Sequence, residues 1–156
     1  EHFTATLAEL VLRNEDVREA AGHDAVRGLF EWHALEEAEH KAVAFDVYRA
    51  VGGSERLRIW TMRFTRYGFV IGMGAQILFS IAGDREARSV RRLRRDWKAF
   101  KKLPLLRREV WETLKDYERK GFHPDDHDTV ELVAEWQSKL FGDAGTLNDK
   151  LTGTAA

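Results

Sequence analysis

Three side chains in the stretch WHALEEAEHKAVAFDVY, residues 32 to 48, have the types and spacing that suit metal chemistry: His33, Glu37 and His40. At roughly 100° of rotation per residue, a helix here sets all three on one stripe. Val26, Leu29, Phe30, Ala44, Val47, Tyr48 and Val51 fall on the same side, so the stripe is expected to face inward. Isolated charges on such a face cost several kcal/mol to desolvate and need a compensating partner. A divalent cation is one such partner, because imidazole and carboxylate are the donors it takes when thiolates are absent. Glu37 and His40 form the Glu-x-x-His element by which helix bundles present two ligands to a di-iron or di-manganese centre. The competing reading is a buried network in which Glu36 or Glu37 pairs with a histidine, or with an arginine from another helix. Three groups on one stripe favour the metal. The zinc-protease spacings are excluded, since Ala34 follows His33 and HALEE lacks the second histidine.

Around these three the candidates thin out. Glu36 sits at the edge of the stripe, where it can support a ligating histidine or meet an arginine. Glu39 is expected in solvent. Glu1 lies over Ala5, Ala8 and Leu12, small residues that leave room beside it, and reads either as a ligand or as an ordinary solvated residue. His2 is expected to be exposed. The loop FHPDDHD is a second cluster, with His123 its weak candidate, but Pro124 and the aspartates also make a normal helix start. The five tryptophans sit in helical patterns and read as packing residues.

The elements that must position these groups are helical. Two prolines, many Ala, Leu, Arg and Glu residues, and no hairpin signals point to an all-α fold. A first helix is predicted over residues 2 to 13 and a second from an Asp24 cap to about Ala50, stopped by Gly52 and Gly53. A third starts near Ser54 and runs through GFVIGMGAQILFSIAG, residues 68 to 83. That apolar run falls short of the ~20 residues that cross a bilayer and reads as a helix buried on most sides, walling a pocket. Gly68, Gly72 and Gly74 there imply close approach of a neighbour's backbone. Val90, Leu93, Trp97 and Phe100 then mark a basic amphipathic surface helix over residues 89 to 102, ended by Pro104. A helix near 105 to 119 and a last one ending near Phe141 follow. One domain over residues 1 to 141 and a disordered tail over 142 to 156 complete the expectation.

The formal net charge of −1 hides blocks: residues 1 to 50 hold eleven acids and five bases, and residues 85 to 120 fourteen bases and six acids. Such blocks can pair within one fold, so no nucleic-acid partner is inferred. With no cysteine, disulfides, thiolate zinc sites and cysteine nucleophiles are excluded, and a cytoplasmic setting is expected. No signal peptide is read from the first residues, and the chain reads as a processed piece or fragment.

EHFTA at residues 1 to 5, the long motif at 32 to 48 and GFHP at 121 to 124 together resemble the family of predicted metal-dependent hydrolases. The resemblance covers about residues 1 to 140 and implies a ferritin-like helical bundle of which this chain is the C-terminal part, with additional C-terminal helices. His33, Glu37 and His40 are also similar to the last metal-binding helix of di-iron amine N-oxygenases. By that similarity Glu1 matches a bridging carboxylate on the preceding helix, and the cofactor is two iron ions, with manganese or zinc as alternatives. The earlier ligand helices of that pattern are absent here. The missing donors are expected from an upstream region or, as a second route, from a homodimer's other copy.

The expected function is therefore a metal-dependent enzyme acting on a small-molecule substrate, hydrolytic or of the di-iron oxidase and oxygenase type. The alternative is a non-catalytic helical module that meets a membrane surface or a partner through the basic helix.

Overall fold

A computed structural model describes residues 1–83, 89, 94–95, 97–98, 100–101 and 103–148. The chain forms two compact units, one of Glu1–Gly52 with Gly121–Ala156 and one of Gly53–Lys120. The fold is all-α, and no strand occurs among the described residues.

The first unit holds α1 (His2–Arg13), α2 (Glu15–Glu19), α3 (Asp24–Glu39), α4 (Val43–Ala50) and a C-terminal helix, α7 (Val130–Phe141). Small residues set its packing. Ala8 and Leu12 of α1 meet Ala34, Leu35 and Ala38 of α3, and Leu132, Trp136 and Leu140 of α7 close the core. Side chains this short allow two helix axes to approach closely. Trp136 is buried beneath two cations, with the Arg18 guanidinium 5.0 Å and the Lys139 amine 4.0 Å from its ring. Arg18 also donates to the carbonyls of Val11 and Leu12 at 3.0 and 2.8 Å, satisfying free acceptors at the end of α1.

Two helix boundaries differ from expectation. His23 rather than Asp24 caps α3, its Nδ1 accepting from the Ala25 N–H at 3.2 Å. The predicted single helix from Asp24 to Ala50 is broken at His40 to Ala42. Sequence-distant groups hold that elbow. Lys41 is buried and donates to the carbonyl of His127, with the Asp125 carboxylate 3.8 Å away, and the Glu1 carboxylate accepts from the Ala44 N–H in the first turn of α4 at 2.8 Å. An acid at that place satisfies an orphan donor and meets the positive end of the helix dipole.

Residues 142 to 148, at the head of the stretch expected to be disordered, turn back over α7. Thr146 and Leu147 donate to the carbonyls of Lys139 and Leu140, and the Leu147 side chain joins the core. A side chain at Gly145 would meet the Leu140 carbonyl at 2.4 Å, so only glycine allows this return. The rest of the predicted tail, residues 149 to 156, lies outside the described residues.

The second unit contains α5 (Glu55–Gly83) and α6 (Arg108–Asp116), the latter preceded by the tight turn Pro104–Leu106. Ser54 accepts from the Leu57 N–H at 3.3 Å, as the predicted cap requires. Arg58 is buried: it donates to the carbonyls of Tyr117 and Arg119, pairs with Glu55 at 2.7 Å and lies over the Tyr117 ring. The expectation of a mostly buried α5 is overturned, since only Arg58 and Met62 of its 29 residues are buried. Nothing lies within 4 Å of a side-chain carbon built at Gly68, Gly72 or Gly74, so the close approach read from those glycines is absent among the described residues. Val90 and Leu93 of the predicted basic helix lie outside the described residues, while Trp97 and Phe100 stack at 5.6 Å.

Candidate functional site

α3 buries the opposite side from the one expected. Gly28, Ala34, Leu35 and Ala38 face the core, while Val26, Leu29 and Phe30 are exposed. The cause is the spacing of small residues: α1 and α7 pack on the alanine face, and the elbow at His40 interrupts the helix before Val47 and Val51. His33 is therefore 59% exposed and Glu37 25% exposed at the side chain, and His40, at the end of α3, is exposed. The ionisable stripe is an open rim rather than a buried seam.

One hydroxyl organises that rim. Thr4 Oγ1 on α1 donates to Glu37 Oε2 at 2.5 Å and lies 2.8 Å from the Glu1 carbonyl oxygen. The other Glu37 oxygen lies 3.6 Å from His33 Nε2, one helical turn away. The start of α1 and the middle of α3 thus meet through a side chain that sequence reading passed over. The available signal was its place three residues after Glu1 in EHFTA. The Glu1 carboxylate is committed to the start of α4, as described. Glu36 is half-buried and its carbonyl accepts from the His40 N–H. Glu39 accepts from Gln137 at 2.7 Å.

Thr4 is exposed. Replacing it with valine is expected to lower fold stability by no more than about 1 kcal/mol, the net worth of one hydrogen bond. A urea unfolding midpoint checks this, and a larger loss would make Thr4 a packing residue instead.

The second cluster is built differently. His2 is buried rather than exposed, its ring edge-on to Phe122 at 4.9 Å and 5.8 Å from the His127 ring. His123 Nδ1 accepts from the Asp125 N–H at 3.2 Å, and the Asp126 carboxylate accepts from the His123 N–H at 3.1 Å, a reciprocal cap on the turn Pro124–Asp126. His123 Nε2 lies 2.9 Å from Asp46 Oδ1. With Nδ1 accepting, Nε2 carries the proton and donates to Asp46, so both ring nitrogens are occupied. In this arrangement His123 ties the loop to α4, which is the helix-start reading of FHPDDHD.

The donor types of the rim, imidazole and carboxylate, fit a divalent cation, and its exposure leaves room for one. Convergence is incomplete. Among the described residues no group of three or more His, Cys, Asp or Glu side chains is placed to hold a metal ion. His33 and Glu37 form a pair, while Glu1 and His40 stand outside it.

A family model described as predicted metal-dependent hydrolase matches residues 1–128, which takes in the rim, the elbow and the His123 loop. No curated protein and no solved structure matches.

Proposed function

The chain belongs to the family of predicted metal-dependent hydrolases, and from that premise we propose that its α1–α3 rim is one wall of the family's metal centre. The observation that carries this reading is the Thr4 hydrogen bond, which ties the EHFTA segment to Glu37 of the longer motif, one turn from His33. His33 and Glu37 are the nucleus of the ligand set. His40 and Glu1 complete this chain's share, and the remaining donors come from residues beyond this set.

Each neighbouring group has a part in that reading. Thr4 fixes one oxygen of Glu37 and so orients the other toward His33. The Ala44 N–H holds the Glu1 carboxylate at the elbow, where it would be this chain's second carboxylate donor. Glu36, half-buried beside the histidines, supports their orientation. The exposed apolar side chains Val26, Leu29 and Phe30 form the floor on which a small-molecule substrate or a covering helix rests.

A metal held there would supply Lewis acidity and activate water, the requirement of hydrolysis. The finer reading is a pair of iron ions, since carboxylate with imidazole and no thiolate is the di-iron donor set, which also serves oxidases and oxygenases.

The test uses the protein in the longest form that its coding region encodes. Elemental analysis after anaerobic loading with Fe²⁺, Mn²⁺ or Zn²⁺ is expected to give about two ions per chain and a raised unfolding temperature. Protein that retains no metal after desalting, with unchanged thermal stability, would overturn the proposal. Dioxygen uptake by the iron-loaded form separates oxygen chemistry from ester or amide hydrolysis.

A further inference from the structure

The second unit presents a long apolar surface that the metal centre does not use. From Tyr67 to Gly83 no Asp, Glu, Lys or Arg occurs, and α5 is long and apolar enough to cross a membrane. None of that apolar window is buried. Val70, Ile71, Met73 and Phe79 are all exposed and, at about 100° per residue, lie at roughly −100°, 0°, −160° and +80° around the axis. A helix apolar on all sides, rather than along one stripe, is what a hydrocarbon environment selects and what a single docking groove does not.

Both ends of this segment carry the chemistry of a lipid interface. At its start a groove of about 630 Å³ is lined by Trp60, Phe64 and Tyr67 together with Arg63, Arg66 and Lys115. Glu118 pairs with Arg63 at 2.7 Å and Arg66 at 2.8 Å, so three cations stand against one acid. Aromatic rings with cationic side chains are the composition of a headgroup belt. After Gly83 the sequence carries nine bases against three acids over residues 84 to 102, the kind of run that anionic leaflets attract. At 1.5 Å per residue the charge-free segment is roughly 25 Å long, close to a hydrocarbon core of about 30 Å.

We propose that the apolar part of α5 inserts into a bilayer containing anionic lipid, with the aromatic and arginine groove at the level of the headgroup phosphates. Gly68, Gly72 and Gly74 then weaken the helix less than they would in water, since glycine is common in membrane helices. The inference is independent of the metal centre, which draws on the other unit.

The test is vesicle flotation of the full chain with phosphatidylcholine alone and with phosphatidylcholine plus phosphatidylglycerol. The chain is expected to float with the mixed vesicles, to stay bound through a high-salt wash, and to show tryptophan emission quenched by brominated acyl chains. The double substitution Ile71→Asp and Phe79→Asp is expected to weaken binding at least about tenfold, both sites being exposed, with helicity unchanged by circular dichroism. Arg63→Gln with Lys115→Gln is expected to reduce the preference for anionic lipid. Complete release by salt with no effect of the aspartates would overturn insertion in favour of surface attraction by the basic run. A chain that stays unbound and forms a dimer dissolved by the aspartates would overturn it in favour of a second copy. If the double variant unfolds, salt-resistant flotation and acyl-chain quenching of the unsubstituted chain decide alone.

Discussion

Glu37→Ala is expected to lower metal affinity by more than about 100-fold, because changes to residues that merely support a ligand already cost 10–100-fold. Glu37 has both oxygens engaged, one by the Thr4 hydroxyl and one facing His33, so its loss removes a side-chain hydrogen bond between α1 and α3 as well as a donor. His33→Ala is expected to act in the same direction. Thr4→Val should fall between these and the unsubstituted protein, at about tenfold, since the carboxylate remains but is no longer held. Glu36→Ala, at a residue that supports the histidines without donating, should likewise cost about tenfold. Isothermal titration with Mn²⁺, on the form of the protein that retains metal, measures all four. A Glu36→Ala loss equal to that of Glu37→Ala would show that the stripe has been assigned to the wrong side of the helix.

Arg58→Ala is expected to destabilise the second unit by about 3 kcal/mol. The Arg58 guanidinium satisfies two main-chain carbonyls, at Tyr117 and Arg119, in an environment that leaves its side chain 1% exposed. Hydrogen bonds to charged donors contribute roughly 1.5–3 kcal/mol each, and carbonyls left unpaired lose that and gain nothing unless water enters. Glu55 retains partial exposure and can be resolvated, so its release adds little. Arg58→Lys should recover less than half of the loss, since an ammonium cannot reproduce the planar fork. Thermal unfolding followed by circular dichroism provides the measure, and equal stability of the lysine variant would reduce the role of Arg58 to charge alone.

The all-α class, the ends of α1 and α7 and the Ser54 cap were legible in the sequence because local signals set them. The break at His40 to Ala42 was not. Nothing between Glu36 and Tyr48 interrupts helical spacing, and the elbow is held from afar by the His127 carbonyl and the Glu1 carboxylate. The orientation of α3 failed for a related reason. Large apolar residues were weighted as core, whereas the alanines on the other face allow closer helix contact, so Leu29 and Phe30 were left outside. In α5 the apolar run was visible, but its burial was inferred from hydropathy, which reports a preference for leaving water and not what takes the water's place. The pairing of His33 with Glu37 one turn apart was legible from their spacing. Thr4 was missed because a threonine in a first helical turn is ordinary until its neighbour across the fold is known.

Two long-range cationic ties end on main-chain oxygens: Lys41 on that of His127, and Arg58 on those of Tyr117 and Arg119. A peptide oxygen is supplied by every amino acid, so these anchors do not depend on which residues occupy the anchored loops. The residues at 119 and 127 can therefore vary in type while each attachment persists, so in each unit the anchored loop is free to change chemistry there on an unchanged scaffold.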